Sequence, residues 1–242
     1  MAAINRSTDM TTGSIWKRMV SFAVPVFLGN LCQQLYNTVD SVIVGKFVGK
    51  QALAAVASSG NLIFMMTGFF MGLFIGAGIV IAQYFGARNY EKVRSAVHTD
   101  IAFALCCGVL LTLLGVFFTP TILTWMRTPA DVLDMATQYL NIYFIGLPFL
   151  FMYNILSALF NALGKSRIPL YFLIFSSLLN VVLDVVFIVP FGMDVAGAAW
   201  ATVLAQAISA ALCIVFALKR FTILHLSARE WRFSAEAAWC HL

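Results

Sequence analysis

Charge is what this chain has least of. Only 10% of its 242 residues are Asp, Glu, Lys or Arg, against about 25% in an average soluble domain. Residues of the AVILMFWYC set make up 62% of positions and the mean hydropathy is +0.92. A water-soluble globule of this size has too little interior to hide that much apolar surface. Soluble enzymes, nucleic-acid-binding modules and disordered scaffolds are therefore excluded, and the chain reads as an integral membrane protein. Catalytic motifs are missing as well. No Walker loop, H-E-x-x-H or G-x-S-x-G occurs, so nothing points to an enzyme, to a cofactor or to ATP as the energy source. The five cysteines (Cys32, Cys106, Cys107, Cys213, Cys240) contain no C-x-x-C pair, and four lie in apolar runs. They act as small hydrophobes there, not as metal ligands. A cleavable leader is not recognisable either, because the first apolar run is too long for one and carries Gln33, Gln34, Asn37 and Asp40.

What the chain does have is long apolar runs. A hydrocarbon layer of about 30 Å takes about 20 helical residues to cross. Six such runs lie at 17–44, 53–84, 93–118, 131–163, 168–190 and 195–218. Short alternating segments of the β-barrel kind do not occur, so the fold class is all-α, a polytopic membrane protein with six transmembrane helices. The chain divides into a polar tail over 1–16, the six-helix body over 17–218 and a polar segment over 219–242.

Lys and Arg alternate along this layout. Arg6, Lys17, Arg18, Arg88, Lys92, Arg94, Lys165, Arg167, Lys219, Arg220, Arg229 and Arg232 fall on one side, and only Lys46, Lys50 and Arg127 on the other. The positive-inside rule then predicts cytoplasmic termini and an external loop over 119–131.

Two acids lie well within the spans, Asp40 in the first and Asp184 in the fifth. A carboxylate at mid-helix costs about 2.5–3.5 kcal/mol on insertion scales, so a retained one asks for a function. Both precede the outer end of their helix by six residues, which sets them at matching depth, about 9 Å in. Asn30, Gln33, Asn37 and Asp40 recur at i, i+3, i+7 and i+10 as one polar face of the first helix. Asn180 stands one turn from Asp184. Thr202 in the sixth span and Tyr139 in the fourth reach a similar depth, and Asn154 and Asn161 form a deeper stripe. Carboxylates with amide and hydroxyl oxygens fit a proton or Na⁺ site, whereas asparagines alone serve equally well as interhelical glue. Asp100, six residues past Arg94, is expected to reach interfacial water. Gly68, Gly72 and Gly76 form a smooth stripe expected to let a neighbouring helix approach closely.

Several stretches together resemble one family. Residues 33–45, Gln-Gln-Leu-Tyr-Asn-Thr-Val-Asp-Ser-Val-Ile-Val-Gly, are similar to the helix-one signature of the multidrug and toxic compound extrusion (MATE) transporters. Residues 161–169, Asn-Ala-Leu-Gly-Lys-Ser-Arg-Ile-Pro, resemble that family's loop after helix four. Asn180–Asp184 and Gly197–Thr202 resemble its helix-five and helix-six patterns. The resemblance implies a cation-coupled antiporter in a prokaryotic plasma membrane that exchanges H⁺ or Na⁺ for amphipathic or cationic drugs. It assigns Asp40, Asn180, Asp184 and Thr202 to the coupling-cation site of the amino-terminal lobe. Gln34, Asn37, Tyr139 and Asn154 are expected to line the drug cavity. Members have about twelve helices in two lobes, so the resemblance implies a missing carboxyl-terminal lobe, or a second copy, as partner. Residues 225–233 look like the linker toward a seventh helix. Two other readings stay open: a non-transporting fragment or partner subunit, and a lipid-precursor flippase of the same superfamily, which the acidic interior disfavours.

Overall fold

The turns divide the chain before any packing is considered. Gly164 takes a positive φ of 73°, a backbone that side chains disfavour, and closes the fourth helix. Asn89 opens the third by accepting the Lys92 backbone N–H at 3.2 Å. A computed structural model of the chain, describing residues 15–220, shows six helices: α1 (Ile15–Phe47), α2 (Lys50–Gly86), α3 (Tyr90–Trp125), α4 (Ala130–Ala162), α5 (Arg167–Ile188) and α6 (Asp194–Arg220). The 219–242 segment lies almost wholly outside the described residues. Connections of two to five residues leave consecutive helices little choice but to run antiparallel.

Five of the six, all but α1, are long and apolar enough to cross a membrane by length and composition. The polar face of α1 lowers its hydropathy without shortening it, since its 33 residues span about 50 Å.

The centre of the lobe is α4, which packs against α2, α3 and α6, while α1 rests mainly on α5 and α5 on α6. At the α3–α4 crossing, Gly108 is there because of Pro148: a Cβ at 108 would stand 2.7 Å from the Pro148 Cα. One turn on, the Thr112 hydroxyl donates to the Phe144 carbonyl at 2.6 Å and ties the two backbones together. The apolar core follows from this crossing, with Phe74, Phe151, Leu147, Leu140 and Phe160 buried around α4.

Three expectations need correction. The 119–131 loop is shorter, because α3 continues through Pro120 to Trp125 and only residues 126–129 connect it to α4. Asp100 does not reach interfacial water. It is 3% exposed on the face of α3 that also carries Val93, Ala96, Val97 and Ala104, and that register turns it inward whatever its distance from the helix end. The glycine stripe is not a packing seam within this lobe. A Cβ added at Gly68, Gly72 or Gly76 would meet nothing within 4 Å, because the packed face of α2 is the one bearing Ala52, Ala55, Ser59, Phe74, Ala77 and Ile81.

Candidate functional site

The polar residues of α1 open onto a groove of about 630 Å³ bounded by α1, α2, α4 and α6, within the size range of small-molecule sites. Asn30, Gln33, Gln34, Asn37 and Asp40 all line it, as the helical spacing of that face requires. The Asn37 amide donates to Gln34 Oε1 at 3.3 Å, so two of these side chains hold each other along the wall. Opposite them α4 contributes Tyr139, Tyr143, Phe151 and Asn154, and α2 contributes Phe64, Met71 and Phe74. Asp40 is the single charged residue among those lining the groove.

Behind Asp40 stands Asp184. It is fully buried (0% exposed) and absent from the groove wall, and Asp40 itself is 7% exposed. Packing of α1 on α5 brings the two carboxyls within direct interaction range. They do not meet in a well-formed hydrogen bond: both oxygens of Asp184 and Oδ1 of Asp40 are buried without one. A carboxylate offers only acceptors, so a facing pair has nothing to give each other until a proton or a cation sits between them.

The surrounding groups supply oxygens and hydroxyls. Asn180, 2% exposed and one turn from Asp184, donates from Nδ2 to the Thr202 hydroxyl at 3.2 Å. The hydroxyls of Tyr36 and Thr202 lie 3.4 Å apart, joining α1 to α6. Tyr36 and Tyr139 are both within electrostatic range of the two acids, and the Tyr139 ring stacks on that of Tyr143 with centroids 6.5 Å apart. The structure thus gathers Asp40, Asn180, Asp184, Thr202 and Tyr139 in one corner. Gln34, Asn37 and Asn154 lie on the groove wall, Asn154 donating to the Leu150 carbonyl at 2.9 Å. Asn161 is apart from both and does not line the groove. Sequence reasoning singled out neither Tyr36 nor Tyr143 nor Gln206 as site residues. Each stands four residues from one that it did single out (Asp40, Tyr139, Thr202), so the i±4 neighbour was the available signal.

Among the described residues no group of three or more His, Cys, Asp or Glu could hold a metal ion. The arrangement is instead that of an acidic pair backing a broad apolar groove.

Comparison with known proteins agrees with this architecture. A family model described as MatE matches residues 25–186. The chain is 34% identical over 211 residues to the probable multidrug resistance protein YoeA of Bacillus subtilis (strain 168), covering 86% of this chain and 46% of that protein. It is 32% identical over 214 residues to the probable multidrug resistance protein YpnP of the same organism, covering 88% and 48%. A solved transporter of the MOP superfamily from Pyrococcus furiosus Vc1 superposes with a TM-score of 0.91 at 24% identity, over 99% of this chain and 53% of that one. The chain spans about half the length of the curated relatives it matches. Fold, family match and relatives converge: this chain is a membrane-embedded, all-helical member of the MATE family, among whose curated members are probable multidrug resistance proteins.

Proposed function

We propose that the chain is the amino-terminal lobe of an antiporter that exports amphipathic or cationic compounds in exchange for H⁺ or Na⁺. The observation that carries this reading is the placement of the two acids, Asp40 on the groove wall and Asp184 sealed directly behind it. A lipophilic cation in the groove takes Asp40 as its counter-charge and the aromatic rings of Phe64, Tyr139 and Phe151 as its bed. A proton or Na⁺ bound between Asp40 and Asp184, with Asn180 and Thr202 oxygens nearby, neutralises one of the pair's two charges and so weakens that counter-charge. The two cations then compete for one negative site, and competition of this kind is the thermodynamic basis of exchange. A second lobe, from a longer protein or a second copy, closes the open side of the groove.

The test uses the chain in lipid nanodiscs in weakly buffered solution with a pH-reporting dye. Addition of tetraphenylphosphonium or of Na⁺ should release protons. Asp184→Asn should eliminate the release, and Asp40→Asn should weaken tetraphenylphosphonium binding at least tenfold. Tetraphenylphosphonium binding of full affinity in Asp40→Asn, with no proton released by the unaltered chain, overturns the reading.

The orientation belongs to the same proposal. The alternation of Lys and Arg supports cytoplasmic termini in a prokaryotic plasma membrane, and the Bacillus relatives support a bacterial setting. In a cysteine-free background, a membrane-impermeant thiol reagent added outside should label Thr128→Cys and spare Ser166→Cys. The reverse pattern would invert the topology.

A further inference from the structure

A hydroxyl inside a helix satisfies itself by donating to a carbonyl one turn back on the same helix. Thr38, Thr67, Thr99, Thr119 and Thr124 all do so. Thr112 reaches further. Its hydroxyl lies 2.9 Å from the Gly108 carbonyl of its own helix and 2.6 Å from the Phe144 carbonyl of α4. A hydroxyl has one proton, and the nearer acceptor is the one across the seam. Phe144 stands four residues before Pro148, the proline inside α4. In an unbroken α-helix that carbonyl accepts the N–H of residue 148, and proline has none to give. Thr112 therefore supplies from α3 the hydrogen bond that α4 cannot make for itself. Gly108, one turn from Thr112, brings the α3 backbone against the proline itself, since a Cβ there would stand 3.2 Å from the Pro148 nitrogen.

The proline divides the α4 wall of the groove. Tyr139, Tyr143 and Gly146 line it before the proline, and Leu150, Phe151 and Asn154 line it after. The first half carries Tyr139 to the acid corner and is held against α6 at Gly146, where a Cβ would stand 2.6 Å from Val203 Cγ2. The second half carries Phe151, whose ring packs on Phe70 and Phe74 of α2. Tyr139 lies nine residues before Pro148, a lever of about 14 Å. A change of about 10° at the proline moves that end by about 2 Å, against a tolerance of about 0.5 Å for a binding constellation.

We propose that Thr112 is a positioning residue for the groove. By occupying the carbonyl that Pro148 frees, it fixes the angle between the two halves of α4, and so the spacing between the acid corner and the aromatic bed. The proposal rests on the reading of the groove as the site of a lipophilic cation. Thr112 does not line the groove, so it acts only through α4.

The test uses the full chain in lipid nanodiscs with tetraphenylphosphonium as the probe. Thr112→Val keeps the shape of the side chain and loses its proton, whereas Thr112→Ser keeps the proton. Tetraphenylphosphonium affinity should fall at least fivefold in Thr112→Val and stay within twofold of the unaltered chain in Thr112→Ser. Proton uptake by the ligand-free chain on acidification, taken against Asp184→Asn, should keep its midpoint in both variants, because Asp40 and Asp184 stand on α1 and α5. Unchanged affinity in Thr112→Val overturns the proposal. Equal losses in the two variants overturn it as well, since the hydroxyl is then not what matters. Loss of both the affinity and the proton uptake in Thr112→Val marks general destabilisation and also overturns it. An unaltered chain that binds no tetraphenylphosphonium overturns instead the reading of the groove, and the positioning role falls with it.

Discussion

The α3–α4 seam and the α1–α5–α6 corner are both buried, and both contain polar side chains, yet they treat them in opposite ways. Along the seam every hydroxyl named here returns its proton to backbone. Thr112 donates to the carbonyls of Gly108 and Phe144, and Thr119 to that of Gly115. In the corner the acids, the Asn180 carbonyl and the Gln206 carbonyl are buried with acceptor atoms unmatched. A hydroxyl satisfies itself one turn back on its own helix, whereas a carboxylate has no proton to give. Burial of polarity is thus no mark of function in a membrane lobe; what sets the corner apart is a pair of facing carboxyls with unmatched oxygens.

Mutation should separate the two regions by sign. The largest effect is expected at Gly115, where even a Cβ would run into the Phe144 ring. Gly115→Leu should cost about 3 kcal/mol or more through overpacking, read as loss of folded protein in a denaturant titration. Gly72→Leu, on the open face of α2, should change stability by less than about 0.5 kcal/mol, and a loss equal to that at Gly115 would mean that this face is packed after all. Next comes Asp184→Leu, for which stability should rise by about 2 kcal/mol, because an unmatched carboxyl is removed, while proton release disappears. A destabilised Asp184→Leu would show that the corner is held together by its polar groups and would dissolve the contrast. A smaller effect than either Gly115→Leu or Asp184→Leu belongs to Thr112→Val, with a loss of about 0.6 kcal/mol, the average for an interhelical hydrogen bond in a membrane protein.

The sequence revealed much of this, and unevenly. The helices were readable because the breaks between them hold turn residues such as Gly164 and Asn89. The acid pair was readable because Asp40 and Asp184 each stand six residues before a residue that marks the end of an apolar run, Lys46 and Pro190, although α1 continues seven residues past its acid and α5 only four. The end of α3 was not readable, since Thr119-Pro120 looks like a stop. The helix continues because Pro120 falls where a membrane helix accommodates a missing N–H. Asp100 was misplaced because its distance from the helix end was weighed above its register with Ala96, Val97 and Ala104. The tyrosines were hidden among 22 Phe and 7 Tyr, where only the partner across the helix gap tells a hydroxyl at a site from an aromatic in a core.

The polar face of α1 also has a consequence for biogenesis. With Asn30, Gln33, Gln34, Asn37 and Asp40 along it, α1 is the least apolar of the six helices by composition, so taken alone it partitions less readily from a translocation channel into lipid than the others. Its main packing partner is α5, which begins roughly 120 residues later in the chain. At a synthesis rate of 5–20 residues per second, that is a delay of about 6 to 24 s. During that interval α1 must shelter at the channel, beside a chaperone, or against the thin contact it makes with α2. Synonymous codon changes that slow elongation between α2 and α5 would lengthen its exposure, and the yield of inserted protein should fall with the length of that pause.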